Sequence, residues 1–425
     1  VGKIIFNSNK LTHIFIWVFL PFTGAYFLTT FFSQVNAMLA PYLFHDVQMT
    51  AAELGWTTAI YLLVFALAQV PLGTLLDHYG PRKVQSILFL IAAIGITVFA
   101  LSETPMGLFI GRGLIGVGMS GGLMSGFKAL RSWLPKERIP LANASLMAAG
   151  TLGAVFSTVP VEIALQFMSW RTCFLWMVIL ILITSAWIFF VVPDPIVANH
   201  SGLTLKQQIL ESKKIYTSPY FWRIAPLIAF AFGSNMAIVG LWAGPWLSDV
   251  ARLEPAGIAM HLLAIAVALI IGIALWGVIA DRVTINFQQP ITLVIGVGAV
   301  LYILVQVLFV LGVSPGSYYL WIAFGFMSRY TTLAYAAMSQ HFHDRYAGRA
   351  TTALNMLFFL TAFATQLGMG MMIDLWPKDA TGHYSIQGYH VAFLAMIALQ
   401  VMGYVWFCVF RKKSICYESK PLLSR

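Results

Sequence analysis

The chain of 425 residues is 60% hydrophobic and only 9% charged, with a formal net charge of +10. Roughly 25% charged residues is usual for a soluble domain, so the composition excludes a water-soluble globule and leaves the bilayer as solvent. The basic excess excludes little by itself, because its distribution along the chain decides what it means.

A helix crosses a hydrocarbon core with about 20 mostly apolar residues, since backbone N–H and C=O groups left open to lipid are costly. Twelve stretches qualify: 13–40, 55–76, 84–102, 105–127, 141–166 and 171–192, then 223–248, 257–280, 290–312, 317–339, 350–374 and 388–410. The predicted fold class is an all-α membrane protein, with twelve transmembrane helices in two six-helix bundles. The expected domains are an N-terminal bundle over 1–192, a central cytoplasmic loop over 193–220, and a C-terminal bundle with a short basic tail over 221–425.

The first stretch is too long for the core of a signal peptide and has no small-residue cleavage site after it, so it is read as a span that stays. It carries Gln34 and Asn36, two amides that need partners in lipid. After the second stretch comes Gly73-Thr-Leu-Leu-Asp77-His-Tyr-Gly80-Pro-Arg82-Lys83. Gly73 suits a close helix approach, Gly80 a tight turn, and Asp77 offers a carboxylate to cations or to a helix amino terminus. The fourth stretch holds Arg112, about 10 Å below the outer surface at 1.5 Å per residue. In it Gly118, Gly122 and Gly126 recur every four residues as a small-residue packing face. The fifth holds Glu162, about 6 Å deep and within reach of Arg112 on the neighbouring antiparallel helix. Pairing would lower the cost of both charges. The alternative is that Glu162 carries a coupling proton, since desolvation raises a carboxyl pKa. In the central loop Pro193-Asp194-Pro195 stops a helix, and 203–214 suits a short amphipathic helix on the membrane surface.

The second half repeats the landmarks of the first. Pro41-Tyr-Leu-Phe-His-Asp46-Val returns as Pro245-Trp-Leu-Ser-Asp249-Val, the Gly73 to Asp77 phrase as Gly277-Val-Ile-Ala-Asp281-Arg282, and Glu137-Arg138 as Asp344-Arg345. The bundles are therefore expected to be pseudo-symmetric copies of one unit. The seventh stretch contributes Asn235, Trp242 and Trp246, and the tenth Arg329 and Tyr330. Arg329 lies about 18 Å into its span, where an arginine costs at least about 2.5 to 3.5 kcal/mol and marks a functional site or a structural ion pair. Tyr330, Trp242 and Trp246 suit an aromatic wall, with interfacial anchoring the stronger reading for Trp246. Gln306, Asn355 and Gln366 are further intramembrane amides.

With the amino terminus inside, most lysines and arginines fall on cytoplasmic segments, and only Arg171, Arg252 and Lys378 lie outside. This positive-inside asymmetry places both termini in the cytoplasm and makes the basic excess topological, so nucleic acid is not an expected partner. Cys173, Cys408 and Cys416 show neither metal spacing nor a disulfide framework. Phosphate loops, Cys-x-x-Cys pairs and a His-Glu-x-x-His helix are absent, and His341-Phe-His343-Asp344 reads as a solvated helix end. No enzyme activity, cofactor or metal is expected.

The whole pattern resembles the major facilitator superfamily: six spans, a long central loop, six more, and a Gly-x-x-x-Asp phrase after the second and eighth. Leu108-Phe-Ile-Gly-Arg112-Gly-Leu-Ile-Gly116 looks like that family's arginine-bearing motif. His78 and Pro81 depart from the family's loop pattern, and the second copy lacks the glycine and paired basics after Arg282. The resemblance implies two halves rocking about a midplane site, with the first, fourth, seventh and tenth spans lining it. It also implies that Gly73, Asp77, Gly80, Arg82 and Lys83 latch the cytoplasmic side in one conformation, with Asp281 and Arg282 as an abbreviated counterpart.

A guanidinium offers a rigid fork for a carboxylate or phosphate and stays charged. The expected substrate-binding residues are thus Arg329, Arg112, Tyr330, Gln34, Asn36 and Asn235, with Glu162 the candidate for proton coupling. The expected function is secondary active transport of a small anionic or zwitterionic solute (organic acid, amino acid or short peptide), inward, with proton symport open. Drug exporters of the family typically carry Gly-Pro in the fifth span, and the segment from Ala149 to Pro160 has none. Export of drugs or metabolites by proton antiport is the alternative. The expected partners are the solute, a proton and the lipid bilayer, and the expected state is a monomer in a bacterial inner membrane.

Overall fold

The computed structural model describes residues 15–134, 138–193, 215–313, 316–342, 344–379 and 382–410. The amphipathic segment 203–214, Glu137 and the basic tail lie outside the described residues. Those described are helices and their connections, in two compact units: 1–47 with 60–205, and 48–59 with 206–425.

The first unit holds α1 (Leu20–Gln34), α2 (Asn36–Asp46), most of α3 (Ala51–Leu101), α4 (Pro105–Met119), α5 (Gly122–Trp133), α6 (Ile139–Phe156), α7 (Val159–Phe167) and α8 (Trp170–Val191). The second holds the start of α3, then α9 (Pro219–Ala237), a π-helical turn (Ile238–Trp242), α10 (Ala243–Asp249), α11 (Pro255–Asn286) and α12 (Ile291–Val310). It continues with α13 (Tyr318–Ser328), a 3-10 turn (Arg329–Thr332), α14 (Leu333–His341), α15 (Asp344–Ile373) and α16 (Ile386–Val409).

Ten helical stretches among the described residues are long and apolar enough to cross a membrane, and α6 with α7, bent by 40°, make an eleventh. The predicted span at 317–339 is divided into α13, the 3-10 turn and α14, none of which reaches a full crossing alone. Four of the divisions share a feature. A Ser or Thr hydroxyl at or beside each break donates to the carbonyl three residues back: Ser33 to Thr30 (2.7 Å), Ser120 to Val117 (2.7 Å), Ser157 to Ala154 (2.8 Å), Thr158 to Val155 (2.6 Å) and Ser328 to Gly325 (2.8 Å). Such bonds compete with the helical ladder, and the Val117 and Val155 carbonyls also accept the backbone N–H of Ser120 and Thr158. Outward-facing apolar side chains, such as Phe190 at 80% exposure, leave surface that lipid covers.

Helix packing in the first unit rests on glycine. A Cβ on Gly111 would stand 2.7 Å from the Phe99 nitrogen, one on Gly116 2.6 Å from the Tyr61 carbonyl, and one on Gly118 2.5 Å from the Ala92 nitrogen. The expected Gly118, Gly122, Gly126 face serves different neighbours, with Gly118 on α3, Gly122 on α1 at Thr29, and Gly126 against Leu146. Gly80 has φ +78 and turns α3 between its two spans, a conformation that side-chain-bearing residues rarely adopt. Gly73 departs from expectation: a Cβ there would meet nothing within 4 Å among the described residues, so none of the described helices approaches it closely.

The pseudo-repeat extends to side-chain contacts. Asp46 ends α2 and accepts the indole N–H of Trp170, the first residue of α8, at 2.9 Å. Asp249 ends α10 and accepts the hydroxyl of Tyr389, near the start of α16, at 2.6 Å. His45, bonded to the Asp46 carboxylate, holds that carboxyl below the usual range against the opposing effect of burial, with Trp170 assisting.

Gly118→Ala is expected to cost about 1 to 3 kcal/mol by overpacking and to lower the Tm of the detergent-solubilised protein, while Gly73→Ala leaves it unchanged. Equal melting of the two variants by tryptophan fluorescence would contradict this packing account.

Candidate functional site

Each unit presents an arginine that the sequence sets well inside a span. In the first, α4 presents Arg112, whose side chain is sealed from solvent at 1% exposure. Its Nη1 donates to the Phe32 carbonyl at 3.0 Å, and its guanidinium carbon lies 5.1 Å from the Phe99 ring centroid and 5.9 Å from that of Tyr61. Nε and Nη2 have no hydrogen-bond partner among the described residues. The acceptor carbonyl lies just before the break between α1 and α2, where Gln34 and Asn36 stand. Gln34 keeps a buried Oε1 without a partner among the described residues, and Asn36 is buried. Thus the sequence-predicted Arg112, Gln34 and Asn36 belong to one unit and to adjoining parts of it.

Glu162 does not join them. The span carrying it bends by 40° just before α7, and its carboxylate accepts the amide N–H of Gln166, one turn along the same helix, at 2.6 Å. The expected Arg112–Glu162 pair is therefore absent, and Glu162 sits buried with a neutral partner.

In the second unit Arg329 opens the 3-10 turn that divides α13 from α14. Its Nη2 donates to Asn235 Oδ1 at 3.0 Å, joining the tenth predicted span to the seventh. Gly272 of α11 leaves room for the arginine stem, since a Cβ there would stand 2.9 Å from the Arg329 Cγ. Asn235 is itself buried, its Nδ2 without a partner among the described residues, and it precedes the π-helical turn of that span.

Behind Asn235 lies a buried network that sequence reasoning did not assemble. Ser234 donates to Gln306 Oε1 at 3.0 Å, and Gln306 and Gln400 exchange reciprocal amide bonds at 2.9 Å. Three intramembrane polar residues thereby satisfy one another, and the network ends on the residue next to Asn235. Their intramembrane polarity was the available signal, and their mutual facing depends on helix rotation.

Two expected wall residues are elsewhere. Tyr330 points away from solvent at 1% exposure, against Trp276 and Tyr302, with its Cβ where a side chain on Gly298 would be. The 3-10 turn places consecutive residues about 120° apart, which sends Tyr330 into packing while Arg329 reaches Asn235. Trp246 is no interfacial anchor, being fully buried among Phe309, Tyr389 and Phe393.

At the loop after the second span, Asp77 forms an ion pair with Lys128 of α5, which the sequence reading had not joined to it. Arg82 points elsewhere, donating to the Val192 carbonyl at 3.3 Å and lying 5.4 Å from the Phe189 ring centroid. Lys83 is exposed. The motif's charges thus divide between α5 and the end of α8. Asp281 and Arg282 are exposed at the end of α11, with no ion pair among the described residues. No group of three or more His, Cys, Asp or Glu side chains among the described residues could hold a metal. His341 instead stacks on Tyr220 at 3.7 Å.

Since Asp77 and Lys128 are both partly exposed, their coupling is expected at about 0.2 to 1 kcal/mol. A double-mutant cycle of Asp77→Asn with Lys128→Met measures it by thermal unfolding, and strict additivity would mean the pair contributes nothing.

The profile of the Major Facilitator Superfamily matches residues 22–366. The chain is 20% identical over 385 residues to the probable sulfoacetate transporter SauU of Cupriavidus necator, covering 85% of this chain and 86% of that one. It is 23% identical over 234 residues to the nitrite extrusion protein of Bacillus subtilis, covering 50% of this chain and 56% of that one. Among solved structures, a bacterial homologue of the human lysosomal transporter Spinster, inward-facing and occupied, matches with a TM-score of 0.78 at 14% identity, covering 96% of this chain and 98% of that one.

Proposed function

The chain belongs to the Major Facilitator Superfamily, a family of transporters and not of enzymes, and from that premise we propose that it carries a small organic anion or zwitterion inward by alternating access. The observation that carries this reading is Arg329, a guanidinium held by a neutral amide at a break in a membrane span. Asn235, a neutral amide, orients the fork, so an anionic ligand adds charge-assisted bonds to a donor already positioned. Arg112, with two further guanidinium nitrogens aimed at no described acceptor, and Gln34 and Asn36 form the corresponding polar patch of the first unit. The anion class is supported by two relatives whose names specify sulfoacetate and nitrite.

The reading extends to topology: a multi-pass protein of a bacterial inner membrane with both termini in the cytoplasm, as the basic loops favour. Export is the second reading, favoured by the Bacillus subtilis relative named for nitrite extrusion. In either direction Glu162 is the proposed proton carrier, because it is buried and its described partner, Gln166, is uncharged.

Arg329→Gln is expected to weaken uptake of short sulfonates and carboxylates into proteoliposomes by about 10- to 100-fold in affinity, the worth of one or more charged hydrogen bonds of about 1.5 to 3 kcal/mol. Arg329→Lys recovers part of the loss, since a point charge cannot serve both Asn235 and a ligand as a fork does. Wild-type affinity in both variants would end the substrate role of Arg329. Glu162→Gln is expected to abolish accumulation driven by a pH gradient while sparing counterflow, and proton-driven accumulation at the wild-type level would remove Glu162 from coupling.

A further inference from the structure

The face of the second unit that the charge pattern assigns to the outside bears titratable side chains used by neither arginine site nor loop motif. The Asp249 side chain is only 8% exposed, accepts the Tyr389 hydroxyl at 2.6 Å and faces His383 Nδ1 at 2.8 Å. The backbone of His383 is pinned as well: its N–H donates to Asp379 Oδ1 at 3.0 Å, and its carbonyl accepts the Asp379 N–H at 2.8 Å. Asp379 in turn holds Arg252 at 2.6 Å.

The next residue, Tyr384, sets its hydroxyl oxygen 2.6 Å from the Ala51 N–H and directs its own O–H to Asp374 Oδ1 at 3.4 Å. The ammonium of Lys378 lies 4.7 Å from the centre of the same ring. Ala51 is the first residue of α3, where a helix leaves its N–H groups without intrahelical partners. Thr50 and Glu53 satisfy two of the donors reciprocally, the Thr50 N–H to Glu53 Oε2 at 2.9 Å and the Glu53 N–H to Thr50 Oγ1 at 3.1 Å. The Ala51 N–H is met by a side chain 333 residues away. The following turn is seated just as closely: a Cβ on Gly55 would stand 3.3 Å from the Gln366 carbonyl and the Gly370 Cα, and Trp56 meets the Phe363 ring. Residues 48–59 belong to the second unit, although α3 continues from Ile60 in the first.

We propose that Tyr384 is a clasp that fastens the start of α3 to the second unit, and that protonation of His383 tightens it. Protonated His383 meets the Asp249 carboxylate charge to charge, whereas the neutral ring offers one hydrogen bond at most, so the loop carrying Tyr384 is held more firmly below the histidine range than above it. The other groups facing this loop are Tyr389, Asp379 with Arg252, Asp374 and Lys378, and none is a second imidazole. Burial raises the Tyr384 hydroxyl pKa above that of an ordinary phenol, so it stays protonated and keeps a lone pair for Ala51. The clasp does not depend on which solute Arg329 meets, so its test is independent of that reading.

Hydrogen exchange of the full chain in detergent, at about pH 5.5 and about pH 8 on either side of the histidine range and corrected for intrinsic rates, tests it on the peptide covering 48–59. The wild type is expected to show several-fold greater protection at the lower pH. His383→Gln removes that difference, and Tyr384→Phe lowers protection of 48–59 at both pH values while leaving 219–237 as in the wild type. Unchanged protection in Tyr384→Phe, a persisting pH difference in His383→Gln, or loosening of 219–237 together with 48–59 would overturn the clasp.

Discussion

Everything in this molecule follows from the demand that each backbone N–H and C=O find a partner where no water is available. A continuous helix meets that demand and leaves nothing over for a solute. This chain meets it differently in its first, fourth, fifth and tenth spans, where serine and threonine hydroxyls take up carbonyls at a break. At two of these interruptions the deep polar groups gather: Gln34 and Asn36 at one, Arg329 at the other. The hydroxyls compete with the helical ladder at these breaks, and the irregular backbone sets the direction of the polar side chains.

The two units share a plan and differ in detail. An aspartate at the end of the broken helix ties to an aromatic donor at the start of the last span in both, Asp46 to Trp170 and Asp249 to Tyr389. The arginines depart from the repeat: Arg112 is fully buried against a backbone carbonyl and two rings, whereas Arg329 is half-buried and tied to an amide side chain. A carbonyl acceptor and aromatic faces favour a guanidinium that stays in place. An amide side chain is more readily shared with an incoming ligand than a backbone carbonyl fixed in its helix.

The all-helical membrane architecture was legible because twelve apolar stretches and a positive-inside bias are properties of composition along the chain, needing no knowledge of helix rotation. Interruptions were harder to read. Ser328, Thr331 and Thr332 are visible in the sequence, yet whether a hydroxyl bends a helix or merely turns to its own ladder depends on the packing around it. Partnerships were least accessible. Arg329 and Asn235 stood out singly as polar residues in lipid, but their bond requires two helices to face each other, as does the Gln306–Gln400 pair. Tyr330 shows the same limit in reverse, since one step around the 3-10 turn sends it into the core. The Arg112–Glu162 pair was expected from depth alone, and depth says nothing about the 40° bend that precedes Glu162.

Both arginines have acceptors that lie earlier in the chain: Phe32 for Arg112, and Asn235 for Arg329. A ribosome therefore delivers each guanidinium to the translocon after the segment that will receive it has already been made. For these two cations the described acceptor is already in the chain when the arginine enters hydrocarbon, whereas the buried Arg223 waits for the Phe407 carbonyl, made 184 residues later.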